Sequence, residues 1–492
     1  MPLMNSPAKT TLVPFTIIFL ALTSIARAGD AGSPDLDALR LLAPVSALGV
    51  PPQDKTGALA ANLKVTQQIQ NGSAKQPLLQ DFKIQQQQAL RDAFITKDNA
   101  VEFADGLGSE LGGLYQSAAK YTSTDDGLTA SGINISPALE TLFYIANAEE
   151  NKASGTAKYF FADGKADKKA CLWSKAHEVL DDVHGKIDVF GTAYDHDPVT
   201  KECTDITDKQ FDSDPTACTK SFDKYGNSRP FQTEPGLAIY LGKDYFGVPV
   251  SNLSFLCGPQ QPLQTSPSFP SGHTTFGYTE SVLLGILVPA RYPQMIVRAA
   301  EYGNDRIILG AHYAMDVLAG RTLALYEVAR LLDPKTGAGA AASKAPANKS
   351  HADFSSVLAQ ARKDLTQFFL RECSEKILSA CAAQDHSRFA NADKNEAFYN
   401  ATQTYGLPVV WPAAAKATED VSKLTPNPGY LLTAAYPKLA LEDADRILAE
   451  TEGPGGGFLD GGNPLGVYSR LDLYHAAQKA QAMEAADNKP AH

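Results

Sequence analysis

The sequence lacks long hydrophobic runs beyond its first 28 residues, and it is poor in tryptophan and cysteine. Two of its 492 residues are Trp and six are Cys, whereas 44% of all residues are hydrophobic. This composition excludes a fibrous repeat, a fully disordered chain and a small disulfide scaffold. The length corresponds to about three domain-sized units, which is enough to bury a substantial core.

Positive charge is also scarce. The chain has 44 Lys and Arg against 55 Asp and Glu, a formal net charge of −11. An acidic chain without a basic block gains little from the counterion release that drives binding to nucleic acids. We therefore expect no nucleic-acid partner, although a local basic site for a small anion is compatible with this composition.

Residues 1–28 have the pattern of a secretory signal peptide. Lys9 supplies a positive charge, residues 12–25 are mostly apolar, and the small-x-small triplet 26–28 precedes a cleavage site. An uncleaved anchor is the alternative, but the apolar run is shorter than the ~20 residues that span a bilayer and contains Pro14. We expect cleavage, secretion to a bacterial periplasm and no stable membrane insertion.

Six cysteines in an oxidising compartment predict up to three disulfides. No Cys or His spacing typical of a zinc site accompanies them, so we expect no structural metal. Proximity along the chain suggests three pairs, Cys203–Cys218, Cys373–Cys381 and Cys171–Cys257.

Hydrophobic periodicity predicts a mainly α protein. Helical patterns dominate residues 60–150 and return at 274–290, 293–302 and 306–332, whereas alternation typical of strands is scarce. Residues 333–350 are rich in Gly, Ala, Ser and Lys and are typical of a flexible linker.

Three short segments contain the residue types needed for chemistry on an oxyanion. They are Asn227–Phe231 with Arg229, Pro270-Ser271-Gly272-His273, and Asp305–Gly320 with Arg306, His312 and Asp316. Together they provide two arginines, a glycine next to a helix start, and two histidines.

The expected start of the helix after Ser271 and Gly272 would make an anion site. Ser is a favoured N-cap, and backbone N–H groups at a helix N-terminus point outward without a bulky side chain in the way. Arg229 and Arg306 can each offer a planar fork of donors to oxyanion oxygens. These four residues are our candidates for binding an oxyanion.

His312 and Asp316 are spaced i, i+4 and would share one face of a helix. Asp316 could accept the Nδ1 proton of His312 and leave Nε2 as a nucleophile, while His273 could donate a proton to a leaving group near neutral pH. Such a pair alone usually lies on the surface. Its coincidence with the Pro-Ser-Gly-His string has a chance of only about one in several thousand. We expect this set of residues to support displacement at a tetrahedral oxyanion without a metal.

These segments resemble the signature of the type 2 phosphatidic acid phosphatase (PAP2) superfamily, K-x6-R-P, P-S-G-H and S-R-x5-H-x3-D. This superfamily includes bacterial class A acid phosphatases and vanadium-dependent haloperoxidases. The resemblance covers about residues 170–332 and implies a helical bundle with the active site among helix ends. It implies that His312 is the nucleophile, Asp316 its orienting partner and His273 the acid and then the base, with the phosphoryl oxygens held by Arg229, Ser271, Gly272 and Arg306.

The residue patterns and the resemblance together predict a domain organisation. We expect a signal peptide at 1–28, an N-terminal helical region at 29–169, a PAP2-like catalytic core at 170–332, a linker at 333–350 and a C-terminal helical extension at 351–492.

Two positions depart from the family pattern. The family lysine would fall at Phe222, and the neighbouring Lys220 and Lys224 are both candidates to replace it. Asp305 stands where the family has Ser, and it would repel a phosphate unless it caps a helix that starts near Arg306 and faces away.

The spacing of the segments favours a phosphatase, since 32 residues separate His273 from Arg306, close to the compact arrangement of the family's phosphatases. We expect an exported, metal-independent phosphomonoester hydrolase that forms a phosphohistidine, needs no cofactor and acts on a small phosphate ester. A haloperoxidase that binds vanadate through His312 is the first alternative, and a non-catalytic exported binding protein is the second. The identity of the ester and the oligomeric state are left open.

Overall fold

A computed structural model describes residues 52–93, 99–124, 127–161, 229–234, 236–258, 263, 268–337, 353–375, 377–461 and 464–487. In these ranges the chain is mainly helical, as predicted. The predicted signal peptide lies outside them.

The helices before the linker are α1 (Pro52–Gln70), α2 (Phe82–Arg91), α3 (Ser109–Ala118), α4 (Pro137–Phe161), the single turn α5 (Pro230–Thr233), α6 (Asn252–Cys257), α7 (Gly272–Leu287), α8 (Tyr292–Leu309), α9 (Ala314–Leu332) and the turn α10 (Pro334–Gly337). Those after it are α11 (Phe354–Glu372), α12 (Leu378–Ala383), α13 (Ala392–Thr404), α14 (Tyr430–Thr433), α15 (Leu441–Glu450), α16 (Pro464–Tyr468) and α17 (Leu473–Asp487). Four short 3-10 helices add to these, at Glu102–Leu107, Pro289–Arg291, Ala414–Lys416 and Val421–Lys423.

Two antiparallel hairpins interrupt the helical chain. Strands β1 (Ala119–Thr124) and β2 (Gly127–Ile133) pair with each other, as do β3 (Leu241–Lys243) and β4 (Pro249–Ser251). The first hairpin lies within the region that we expected to be helical. Its first strand is rich in Thr and Tyr, residue types that favour strands, so local propensity accounts for the difference.

Helices α7, α8 and α9 form the centre of the fold. Fifteen of the sixteen residues of α7 are buried, so this helix is enclosed on all sides. Helix α8 packs on α7 and α2, whereas α4 packs on α7, α9 and α11. The C-terminal extension is part of the same packing, because α13 and α17 contact α8 and α16 contacts α9.

A glycine permits the close approach of α7 and α9. A Cβ atom at Gly320 would lie 2.4 Å from the backbone oxygen of Ser271 and 2.9 Å from Cβ of Thr274. Real Cβ atoms do not approach other atoms so closely, and the backbone oxygen cannot move aside as a flexible side chain could. Gly320 therefore sets the distance between the starts of the two helices.

The stretch predicted as a linker begins with packed residues. Asp333 is buried, and its Oδ2 accepts a hydrogen bond from the backbone N–H of Asn427 at 2.9 Å. The turn Pro334–Gly337 follows. Residues 338–350 lie outside the described ranges.

One predicted disulfide is present, since Cys373 and Cys381 are joined. Cys257 is also disulfide-bonded. The proposed partner Cys171 and the pair Cys203–Cys218 lie outside the described residues. In the described part of the chain, no helix is long and apolar enough to cross a membrane.

Candidate active site

The second and third sequence segments meet where α7 and α9 begin. The backbone N–H of Ser271 donates to the backbone oxygen of Asp316 at 3.0 Å. Ser271 is the N-cap of α7, as predicted, because its Oγ accepts a hydrogen bond from the backbone N–H of Thr274 at 3.1 Å. Its hydroxyl is thus engaged with its own helix, while Gly272 occupies the first helical position.

His312 lies in the short connection between α8 and α9. Helix α8 ends at Gly310, whose φ of +87° is the left-handed conformation that favours glycine. The backbone N–H groups of Ala311 and His312 then fold back onto the backbone oxygen of Arg306, at 3.0 and 3.3 Å. This turn fixes the backbone that carries the imidazole.

The Nε2 atom of His312 is the meeting point of three predicted site residues. It lies 3.0 Å from Nη1 of Arg229 and 3.0 Å from Nδ1 of His273. A guanidinium can only donate hydrogen bonds, so Nε2 of His312 must be the acceptor and the ring proton must reside on Nδ1. This is the tautomer that a nucleophilic Nε2 requires.

Asp316 faces the other nitrogen of this ring. Its Oδ2 lies 3.5 Å from Nδ1 of His312, which is longer than a good N–H···O hydrogen bond. The same oxygen accepts hydrogen bonds from Oγ of Ser268 at 2.5 Å and from the backbone N–H of Tyr313 at 2.8 Å. The carboxylate is therefore held in position by two donors beside the imidazole.

Burial raises the pKa of Asp316 to about 7, even though the hydrogen bonds from Ser268 and Tyr313 and the charge of Arg229 lower it. Its side chain is fully buried, and removal from water disfavours the ionised form. A positive charge on His312 would favour the carboxylate again. The ionisation of Asp316 is thus coupled to events on the imidazole.

Arg229 is buried and anchored to two loops. Its Nε donates to the backbone oxygen of Leu263 at 3.1 Å, and its Nη1 donates to that of Ala311 at 2.9 Å. Desolvation lowers the pKa of Arg229 to about 10, with an opposing effect from Asp316. The side chain therefore still carries its charge near neutral pH, next to Nε2 of His312.

Arg306 lies close to this group without bonding to its side chains. Its guanidinium stacks over the ring of Tyr302 at 4.2 Å, lies 5.7 Å from the ring centre of Phe255 and donates from Nη2 to the backbone oxygen of Asp92 at 3.0 Å. The ring of His273 packs against the same Phe255. Nε and Nη1 of Arg306 are buried and have no hydrogen-bond acceptor among the described residues, so these two donors could bind oxyanion oxygens.

The prediction of a helix that starts near Arg306 was wrong. Helix α8 runs through this residue to Leu309, so Asp305 caps no helix. Its Oδ1 accepts a hydrogen bond from Nε2 of Gln85 at 2.8 Å. Burial, together with the charges of Glu301 and Asp92, raises the pKa of Asp305 well above its ordinary value.

His312 and His273 differ in exposure. His312 is completely buried, whereas His273 is partly exposed and its Nδ1 contacts Nε2 of His312. This contact occupies the nitrogen that is the predicted nucleophile. The candidate residues Lys220 and Lys224, and the family position Phe222, lie outside the described part of the chain.

Ser268 is a site residue that sequence reasoning missed. It precedes the cis peptide bond between Phe269 and Pro270 and is fully buried. In the sequence it is one of several serines in a Ser- and Pro-rich stretch, and no spacing links it to Asp316, 48 residues away. Only the fold shows that its hydroxyl points at the carboxylate.

This arrangement can stabilise negative charge around a nucleophilic nitrogen. The side chains of Arg229, His273 and Asp316 surround His312, with the start of α7 and Arg306 nearby. The assigned catalytic and phosphate-binding roles of these residues stay predictions.

Comparison with known proteins gives the same family as the motifs. A model of the PAP2 superfamily matches residues 235–331. An acid phosphatase of Zymomonas mobilis subsp. mobilis is 41% identical over 64 residues, or 13% of this chain and 24% of that protein. A non-specific acid phosphatase of Salmonella typhimurium is 39% identical over 77 residues, or 15% and 31%. One of Providencia stuartii is 28% identical over 151 residues, or 30% and 54%.

This chain thus spans between about a quarter and about half of the length of these relatives. The matched range contains His273, Arg306, His312 and Asp316, whereas Arg229 precedes it. Residues 235–331 are thus similar to the PAP2 superfamily, and the chain resembles bacterial acid phosphatases over the aligned parts.

Proposed function

We propose that the protein is an exported acid phosphatase that hydrolyses small phosphate monoesters through a phosphohistidine on His312. The observation that carries the proposal is the position of Nε2 of His312, 3.0 Å from both Nη1 of Arg229 and Nδ1 of His273. A cation and a proton donor thus flank one nucleophilic atom. The names of the matched relatives support the same reaction class.

The substrate would enter between the two imidazoles. Its phosphoryl oxygens would take hydrogen bonds from Arg229, from Nε and Nη1 of Arg306 and from N–H groups at the start of α7. This binding replaces the contact between His273 and His312. It leaves Nε2 facing phosphorus and His273 next to the ester oxygen.

In the first step, the lone pair of Nε2 attacks phosphorus and the bond to the ester oxygen breaks. His273 gives its proton to that oxygen, so the leaving group departs as a neutral alcohol. The imidazole of His312 gains positive charge, and the carboxylate of Asp316 beside Nδ1 stabilises it.

In the second step, His273 takes a proton from water and the water oxygen attacks phosphorus. The P–N bond breaks, and its electron pair returns to Nε2 of His312. Inorganic phosphate leaves, and His273 again carries the proton that it donated. Each step needs only protein groups and water, so we propose that activity persists in EDTA.

The test is turnover of p-nitrophenyl phosphate by the purified protein and by the variant His312→Ala. We expect activity in the wild type and a loss of at least about 10³-fold in the variant, the effect of removing a nucleophile. His475→Ala is the matched control, because His475 pairs with Asp472 in the C-terminal extension, away from this site. Unchanged turnover in His312→Ala would refute the mechanism, and bromide oxidation that requires added vanadate would favour the oxidase instead.

Export has a separate test. If residues 1–28 are a cleaved signal peptide, the mature protein begins at Gly29. N-terminal sequencing of protein secreted by an expressing bacterium should read Gly-Asp-Ala-Gly. A mature chain that retains Met1 would contradict export by cleavage.

A further inference from the structure

Arg388 joins the C-terminal extension to the helices that carry the candidate site. It lies between α12 and α13, and its side chain is 13% exposed. Its Nε and Nη2 donate to the two carboxylate oxygens of Glu301 on α8, at 2.7 and 2.5 Å. Its Nη2 also donates to Oδ2 of Asp105 at 2.9 Å. One guanidinium of the extension thus binds two carboxylates of the preceding part of the chain.

A second arginine, Arg298 of α8, shares the same two carboxylates. It is fully buried, and its Nε donates to Oδ1 of Asp105 at 2.7 Å, while its Nη1 lies 3.4 Å from Oε2 of Glu301. Its Nη2 donates to Oδ2 of Asp92 at 2.6 Å. We call these two arginines and three carboxylates the carboxylate network.

Asp92 connects the carboxylate network to Arg306. While its carboxylate binds Arg298, its backbone oxygen accepts a hydrogen bond from Nη2 of Arg306 at 3.0 Å. Aromatic rings make a second connection. The guanidinium of Arg306 lies 4.2 Å from the ring centre of Tyr302, which packs edge-on against Phe103 at 5.0 Å. The guanidinium of Arg298 lies 5.4 Å from the ring centre of the same Phe103.

The position of Arg298 depends on charge balance. Glu301 is fully buried, and its cationic partners among the described residues are Arg298 and Arg388. Without Arg388, Arg298 alone would have to compensate this carboxylate, because an unpaired buried charge is costly. We expect its guanidinium then to shift from Asp92 toward Glu301. Arg306 would lose the fixed backbone oxygen that holds its Nη2.

We propose that Arg388 is a positioning residue for phosphate binding. It neutralises Glu301 and so keeps Arg298 on Asp92. This contact fixes the guanidinium of Arg306 for the phosphoryl oxygens. The C-terminal extension thus contributes to the site without touching the substrate. The inference rests on the proposed function, in which Arg306 binds these oxygens.

Calorimetric titration of the full-length protein with inorganic phosphate tests the proposal. Arg388→Gln removes the charge and should raise the Kd for phosphate by about tenfold, a size typical of coupling through a packed network. Arg388→Lys keeps the charge but loses the planar fork, so we expect a smaller rise of about threefold. An unchanged Kd in Arg388→Gln, or in Arg388→Lys if the first variant does not fold, would overturn the proposal.

A second substitution tests whether Arg388 acts through the charge of Glu301. Glu301→Gln removes the negative charge that Arg388 neutralises, so the double variant Arg388→Gln/Glu301→Gln should recover a Kd within about threefold of the wild type. A double variant that binds phosphate as weakly as Arg388→Gln would overturn the proposal. In an Arg306→Ala background, Arg388→Gln should leave the Kd unchanged, because the guanidinium that it positions is gone. A further rise there would show that Arg388 acts on another group and would also overturn the proposal.

Arg362→Gln is the matched control for a loosened extension. Arg362 lies on α11, and its Nη2 donates to the backbone oxygens of Ile286 in α7, at 2.9 Å, and of Ala434. Ile286 is about 21 Å along α7 from Gly272. The substitution should lower the melting temperature and leave the Kd for phosphate unchanged. An equal rise of the Kd in Arg362→Gln and Arg388→Gln would overturn the proposal, since any weaker attachment of the extension would then have the same effect.

Failure of this inference differs from failure of the proposed function. A wild type that turns over no phosphate ester would refute the proposed function, but phosphate binding would still report the effect of Arg388. A wild type that turns over p-nitrophenyl phosphate while Arg388→Gln binds phosphate as tightly as the wild type would overturn this inference alone.

Discussion

The carboxyl group of Asp316 should make the protein's stability depend on pH in a defined direction. Its pKa is about 7 in the folded protein because the group is buried, against a value of 3.8 for an exposed carboxyl. Between these two values the folded protein retains a proton that the unfolded chain has released. The free energy of unfolding therefore falls as pH rises from about 4 to about 7.

The size of this effect follows from the difference in pKa. Each unit corresponds to about 1.4 kcal/mol, so a difference of about three units contributes about 4 kcal/mol. The contribution is fully favourable below pH 4 and is lost above pH 7. Asn carries no ionisable proton, so Asp316→Asn should remove this pH dependence and leave the rest of the profile unchanged.

The assay is urea unfolding of the wild type and of Asp316→Asn at half-unit intervals from pH 4 to pH 8. The variant should gain stability relative to the wild type as pH rises, with a relative change on the order of 4 kcal/mol. Asp393→Asn is the control, because Asp393 is exposed in the first turn of α13, and its profile should parallel that of the wild type. A constant difference between Asp316→Asn and wild type across the range would refute the reasoning.

Two further substitutions test how the site is held. Ser268→Ala removes the 2.5 Å hydrogen bond to Asp316, and we expect a loss of about 1.5–3 kcal/mol in the free energy of unfolding. Because that bond lowers the pKa of Asp316, its loss should also shift the pH profile of unfolding to higher pH. An unshifted profile would contradict the role given to Ser268. Gly320→Ala places a Cβ 2.4 Å from the backbone oxygen of Ser271 and should lower the free energy of unfolding in urea by about 1–3 kcal/mol. Gly113→Ala in α3 is the control, because a Cβ there meets nothing within 4 Å, and it should stabilise the protein by up to about 1 kcal/mol. Equal effects of the two substitutions would contradict the packing of α7 on α9.

The sequence predicted those parts of the site whose geometry is local. A spacing of i, i+4 between His312 and Asp316 places them side by side, although His312 precedes the first residue of α9. Ser271 could be identified as an N-cap because that preference depends on a few neighbouring backbone atoms.

Features that depend on packing could not be predicted. The sequence around Gly303 and Asp305 resembles a break between helices, yet α8 continues to Leu309. A Cβ at Gly303 would lie 2.9 Å from a methyl group of Val317, so this glycine serves close contact with α9 rather than a turn. Periodicity within one segment carries no information on that contact.

The C-terminal extension could be recognised as helical but not placed. Its attachment to α9 depends on Arg321, whose three backbone acceptors come from positions 81 to 148 residues away. An arginine in a helical pattern is usually expected to face solvent. Only the fold shows that this one is buried and joins two parts of the chain.

The central claim is that Nε2 of His312 attacks phosphorus, and the covalent intermediate is its most direct test. The full-length protein would be mixed with p-nitrophenyl phosphate, quenched in alkali within milliseconds and digested for mass spectrometry. We predict a phosphoryl group on the peptide that contains His312. Its level should rise in His273→Ala, because p-nitrophenolate leaves without a proton from His273 whereas the second step still needs this residue as a base. A burst of nitrophenol without label on that peptide, or with label on another residue, would contradict it.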